Sequence, residues 1–132
     1  TAAGLETLDA YADFQHRAET AKHELIDFLL QAKRDGVRVY GYGAAAKGNT
    51  FLNYAGIGID LLPTVADQAT SKQGKFLPGS HIPICSPTKL LELSPNKLLV
   101  LPWNLIEEIR SQLSDYDLVT AIPELSVWHP EK

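Results

Sequence analysis

The sequence has no methionine and a single cysteine, Cys85, in 132 residues. One thiol excludes an internal disulfide framework and any metal site built from several cysteines. We expect Cys85 to be a buried structural thiol. No His, Cys, Asp and Glu spacing matches a metal-ligand pattern, and no Gly-x-Ser-x-Gly elbow is present. No apolar run approaches the roughly 18 residues a membrane-spanning helix needs, and no signal-peptide pattern opens the chain. Positive charge is in deficit: 12 Lys and Arg against 16 Asp and Glu give a formal net charge of −4. That balance argues against a general nucleic-acid or anionic-membrane binder. The expected compartment is the cytoplasm. The lack of methionine, with the start Thr1-Ala2-Ala3-Gly4, leads us to expect one domain excised from a longer chain.

What remains is ordinary for a globular domain, with 45% hydrophobic and 21% charged residues. Residues 1–36 read as a long-helix unit, with the helix over 5–35. Leu8, Tyr11, Phe14, Ala18, Ala21, Leu25 and Phe28 follow one another at helical spacing and mark one apolar stripe. Its first half is expected to lean on something outside this domain. His16 and His23 on it read as surface residues.

Residues 37–132 read as an alternating α/β core. Strands are predicted at Val37 to Tyr42, Leu61 to Ala66, Ile82 to Cys85, Lys97 to Leu101 and Leu118 to Ile122. Helices are predicted from Ala45 to about Tyr54, from Ser86-Pro87 to Leu93, and from an Asn104 cap, with Glu107 three residues on, to Leu113. Residues 67–81 read as a long polar loop, and the tail from Pro123 to Lys132 has no assigned element. The pattern implies a Rossmann-like, three-layer α/β fold with a mostly parallel sheet of about five strands and a long N-terminal helix.

The chemistry is expected beyond the C-terminal ends of the strands. Gly41-Tyr42-Gly43-Ala44-Ala45-Ala46 is a Gly-x-Gly-x-x-Ala turn between a strand and a helix, an order suited to bringing backbone close to a phosphate. In that reading Gly41 permits the turn, Gly43 admits the ligand, and Ala46 lets the helix pack on the strand. The amides of residues 44–47 hold a diphosphate, and Lys47 or Lys72 screens its charge. Asp67, 21 residues past Ala46, falls where such folds place a ribose-binding carboxylate. Tyr42 and Trp103 offer apolar faces. Asn49, His81 and Asn104 complete the candidate substrate-binding set. No catalytic acid, base or nucleophile is assigned to this chain, and no metal ligand.

Several motifs, in order, resemble the C-terminal domain of SAM-dependent sugar C-methyltransferases. They are Gly41-Tyr42-Gly43-Ala44-Ala45-Ala46-Lys47-Gly48-Asn49-Thr50 with Leu52-Asn53-Tyr54-Ala55-Gly56-Ile57, and Asp67 with Lys72-Gln73-Gly74-Lys75-Phe76-Leu77-Pro78-Gly79-Ser80-His81-Ile82-Pro83-Ile84. Trp103-Asn104, Glu107-Glu108-Ile109 and Ile122-Pro123-Glu124 follow. The chain departs from the family at Gln68-Ala69-Thr70-Ser71 and at Pro102. The resemblance implies a three-part parent: a small zinc-binding domain, a central S-adenosylmethionine domain carrying methyl donor and general base, and this domain. The implied reaction methylates a carbon of a nucleoside-diphosphate-linked deoxysugar. This domain would form a wall of the nucleotide-sugar cleft, partnered by the central domain and inactive alone. It would hold neither zinc nor S-adenosylmethionine itself. Two other readings stand beside this one: an NAD-type dinucleotide domain of an oxidoreductase, and a non-catalytic module docking through its long helix.

Overall fold

The computed structural model describes residues 2–113, 115–121 and 125–129, with side chains from residue 16 onward. Helix α1 (Ala2–Asp35) carries Lys33 and Arg34 in its last turn, where they complement the helix dipole. Ala21, Leu25, Leu29 and Ala32 are its buried residues. The predicted stripe therefore holds at Ala21 and Leu25 but passes to Leu29, leaving Phe28 at the core edge beneath the Lys97 ammonium, 5.4 Å from the ring centroid. A pattern averaging about 3.3 residues per turn, short of the 3.6 of an α-helix, drifts around a straight helix, so the buried face moves on by one position. The side chains of Leu8, Tyr11 and Phe14 lie outside the described residues.

The core alternates as β1 (Val39–Tyr42), α2 (Ala46–Ala55), β2 (Val65–Ala66), β3 (Ile84–Cys85), α3 (Pro87–Glu92) and β4 (Lys97–Val100). A 3-10 turn (Trp103–Leu105), α4 (Ile106–Gln112), β5 (Asp117–Thr120) and β6 (Ser126–Trp128) follow. The strands form one sheet in the order β3-β2-β1-β4-β5-β6. The first five are parallel, and β6 runs antiparallel to β5 with Leu118 opposite Trp128. This is a Rossmann-like α/β fold. Leu99 and Val119 face α1 and α2, where Leu25, Leu29 and Leu52 pack. Leu98, Val100 and Leu118 face α3 and α4 through Leu90 and Ile109. A sheet covered on both faces explains the unbroken apolar run from Leu98 to Leu101.

Four expectations are corrected. The sheet has six strands, because part of the unassigned tail returns as β6. Trp128 anchors it, donating from Nε1 to Thr120 Oγ1 at 3.0 Å under the Arg110 guanidinium. The predicted strand from Leu61 starts only at Val65, since the Leu61 and Leu62 amides donate to Gly58 in a turn. Likewise β3 is confined to Ile84–Cys85. The Asn104 cap is absent: Asn104 sits inside the 3-10 turn, and Leu105 precedes α4 without any side-chain cap. Ile122, Pro123 and Glu124 lie outside the described residues.

The crossover from β2 to β3 contains no helix. Residues 74–84 instead form a tight hairpin, bridged at Phe76 and Pro83, with the Leu77 amide donating to Ile82 O at 2.8 Å. Leu77 and Ile82 are buried in the α1/α2 layer and supply the apolar contact that a crossover helix would otherwise make.

At α3 the reading from sequence holds. Ser86 Oγ accepts from the Lys89 amide at 3.1 Å, and Pro87 opens the helix. Ser86→Ala is expected to destabilise the domain by about 1 kcal/mol, the usual weight of one such cap. The check is a lower denaturant midpoint at an unchanged slope. Among the described residues, no helix is long and apolar enough to cross a membrane.

Candidate functional site

In a sheet of this order, β1 leads into a helix on one face while β4 leads into a helix on the other. The crevice outside their C-terminal ends is where such folds take ligands. The residues at this point are Gly43 to Gly48 after β1, Asp67 to Lys75 after β2, and Pro102-Trp103-Asn104 after β4.

The glycines are explained largely by the chain itself. A Cβ on Gly41 would lie 2.6 Å from Val65 Cγ2, so Gly41 is needed where β1 meets β2. Gly43 has φ +85, and its absent side chain leaves room for Pro102, whose Cδ would be 2.6 Å from a Cβ there. Close packing of the helix on the strand falls to Gly48, not Ala46. Ala46 is exposed, whereas a Cβ on Gly48 would lie 2.5 Å from Leu101 Cβ and 2.9 Å from Leu101 O.

The loop amides divide into two groups. The Gly43 amide donates to Ala66 O at 2.7 Å, the Ala44 amide to Asp67 Oδ2 at 2.7 Å, and the Ala45 amide to Gly43 O at 2.9 Å. The first α-helical bond runs from the Asn49 amide to Ala45 O. Ala45, at the cap position, has no side chain that could accept from the helix. The amides of Ala46, Lys47 and Gly48 therefore have no partner among the described residues. They sit at the positive end of the α2 dipole. Of the 44–47 amides expected to be free, those of Ala44 and Ala45 are thus taken up within the chain, and the free set runs from Ala46 to Gly48.

Asp67 is the hub of the loop after β2. Its Oδ2 accepts from the Ala44 amide and its Oδ1 from the Ala69 amide at 2.8 Å. The Lys72 ammonium donates to Ala44 O at 3.1 Å and lies 3.9 Å from Asp67 Oδ2. Gln73 Nε2 donates to Asp67 O, and Gln68 Nε2 donates to the Tyr42 hydroxyl at 3.0 Å. Tyr42 is buried in the α3/α4 layer, so its ring offers no face to a ligand.

The remaining candidates separate. Lys47 and Asn104 are exposed. Trp103 is half-buried, edge-on to Phe51 with ring centroids 6.5 Å apart. Asn49 turns away from the crevice: its Nδ2, like that of Asn53, donates to Pro78 O, at 3.2 and 3.0 Å. His81 lies on that same turn, exposed, at φ +58. The structure thus joins Ala44, Asp67 and Lys72 into one bonded cluster, with Gly41, Tyr42 and Gly43 leading into it along the chain. Lys47 follows β1, Trp103 and Asn104 follow β4 at the same end of the sheet, and Asn49 is bonded instead to the turn that carries His81. Sequence reasoning missed Gly48, Pro102, Gln68, Gln73 and Asn53. Only the Asn49/Asn53 pair left a signal, its spacing of four residues on one helix.

A cleft of about 260 Å³ lies at the opposite end of the sheet, lined by residues that include Leu29, Ala32, Arg38 and Leu61. None of the predicted site residues lines it. Among the described residues, no group of three or more His, Cys, Asp or Glu is placed to hold a metal ion.

Residues 1–123 match the family model described as the C-methyltransferase C-terminal domain. A relative, C-methyltransferase NovU of Streptomyces niveus, is 36% identical over 106 residues, covering 80% of this chain and 25% of its own length. The chain therefore spans about a quarter of that curated relative.

Proposed function

The chain belongs to the C-methyltransferase C-terminal domain family, and from that premise we propose that it binds the nucleotide-sugar substrate of a SAM-dependent C-methyltransferase. The substrate class is a nucleoside-diphosphate-linked deoxysugar. The observation that carries this reading is the set of three unpartnered amides at the start of α2, beside the exposed Lys47, at the crevice between β1 and β4.

In the proposed arrangement, the Ala46, Lys47 and Gly48 amides take the diphosphate oxygens and Lys47 neutralises their charge. Trp103 and Asn104, at the same end of the sheet, face the base or the sugar. S-adenosylmethionine, held by a central domain of the parent, supplies the methyl group. This chain's residues bind and orient the acceptor. Fixing an acceptor in near-attack geometry lowers a bimolecular barrier by several kcal/mol, on the order of 7 or more in favourable cases. The reading places no acid, base or nucleophile on this chain, so the domain by itself does not methylate. The zinc and the methyl donor belong to other parts of the parent, which works in the cytoplasm.

The dinucleotide reading is not favoured. The space left by Gly43 is filled by Pro102, and the Ala44 amide already has a carboxylate partner. A dinucleotide seated on the Gly-x-Gly turn itself would have to displace both, and the family match is to a methyltransferase domain.

Lys47→Ala in the full-length enzyme is expected to weaken nucleotide-sugar binding by roughly tenfold or more, the weight of one hydrogen bond to a charged group. Lys47 is exposed and its side chain has no partner among the described residues, so thermal stability should not change. Titration calorimetry reads the affinity, and an unaltered value would remove Lys47 from the site.

A further inference from the structure

Asp67 stands one residue beyond β2, where sequence spacing suggests a carboxylate aimed at a sugar hydroxyl. Its geometry assigns it other work. Each carboxylate oxygen accepts a backbone amide, one from Ala44 in the neighbouring loop after β1 and one from Ala69 within its own loop. The same loop also grips the other polar group of residue 44, because the Lys72 ammonium donates to Ala44 O. Both hydrogen-bonding groups of one backbone position are thus held from the β2 loop. That position lies two residues before the first residue of α2. Gln73 closes the arrangement from behind by donating to Asp67 O.

We infer that Asp67 is a positioning residue for the substrate diphosphate: by fixing Ala44 it sets the direction in which the Ala46, Lys47 and Gly48 amides point. The inference rests on the proposal that these amides receive the diphosphate. Without Asp67, the turn from β1 into α2 would keep the Gly43–Ala66 bond and the Lys72 bond to Ala44 O but lose the tie at the Ala44 amide. The amides would then sample directions in which they no longer converge on one anion. A carboxylate is needed because two donors face it from opposite sides. Asparagine would present one acceptor and one donor and could satisfy only one of the two amides.

Electrostatics makes the test sharp. Removing a negative charge near a bound anion would, by charge alone, tighten the anion. Loss of positioning would weaken it. The two effects have opposite signs, and a purely structural role would lower the melting temperature without changing the affinity of the folded protein.

The experiment measures, in the full-length enzyme, the affinities of wild type, Asp67→Asn and Asp67→Ser for inorganic pyrophosphate and for TDP. Asp67→Ser keeps a short acceptor for the Ala69 amide and gives up the reach to Ala44. It serves as the second variant should Asp67→Asn fail to fold. The expected result is a similar weakening of both ligands, roughly tenfold, about the weight of one charge-assisted hydrogen bond. Weakening of TDP alone would make Asp67 a direct contact of the nucleoside and overturn the inference. Unchanged or tighter binding of both ligands would also overturn it. If wild-type enzyme binds neither probe, or if Lys47→Ala leaves both affinities unaltered, it is the diphosphate site itself that fails.

Discussion

Gly48→Ala is expected to destabilise this domain by about 2 kcal/mol, although alanine is the better helix former. Two effects compete. On an exposed helix surface, exchanging glycine for alanine gains up to about 1 kcal/mol. At residue 48 the new methyl would lie 2.5 Å from Leu101 Cβ, 2.9 Å from Leu101 O and 3.0 Å from Leu101 Cα. Two of these three atoms are backbone, in the residue that follows β4, so no rotamer change relieves the contact. Either α2 lifts from the sheet or the end of β4 moves. Overpacking of this kind typically costs about 1–3 kcal/mol, occasionally more, and outweighs the helix term. Thermal unfolding of this chain should shift down by roughly 7 °C. Thr50→Ala, on the exposed face of the same helix, is the control and should be neutral or slightly stabilising. A Gly48→Ala variant as stable as Thr50→Ala would mean that α2 does not pack on β4 as described. The start of α2 also carries the proposed diphosphate amides, so a displaced helix should weaken TDP binding in the same variant.

Leu25→Ala is expected to have the largest effect on stability, a loss of about 2–5 kcal/mol. Leu25 is fully buried on α1, in the same apolar cluster as Leu52 of α2 and Leu99 of β4. Truncation removes the transfer energy of the lost methyl and methylene groups and leaves a cavity that a helix held at Leu29 and Ala32 closes poorly. Ile59→Ala is the matched control: Ile59 is 58% exposed, and its truncation should fall within about 0.5 kcal/mol of wild type. Denaturant titration of this chain distinguishes the outcomes. A near-neutral Leu25→Ala would show that the second half of α1 is an appendage and not a layer of the core.

Local signals along the chain were read correctly where the chemistry is local. The alternation of apolar strands with helices, the Ser86-Pro87 start of α3, the basic last turn of α1 and the mostly parallel sheet all follow from periodicity, capping and turn residues. Each of these acts over one or two turns of chain. The misreadings fall where a residue's role depends on what lies across a layer. Ala46 and Gly48 are equally plausible small residues in sequence, yet only Gly48 meets Leu101. Asn104 has the spacing of a helix cap, but a 3-10 bond from the Leu105 amide to Pro102 O moves the helix start past it. Asp67 has the spacing of a ribose ligand, and folding gives its carboxylate two backbone amides.

The sequence by itself determined the class of fold, the point on the chain where a strand hands over to a helix through glycines, and the family resemblance that the comparisons bear out. Tertiary structure alone decided which glycine packs, that Pro102 fills the space beside Gly43, that β6 closes the sheet, and which amides of the loop stay unpartnered. The reason is physical. Helix and strand propensities act between neighbours in the chain, whereas steric exclusion and hydrogen-bond satisfaction act between atoms that only the register of the sheet brings within 3 Å.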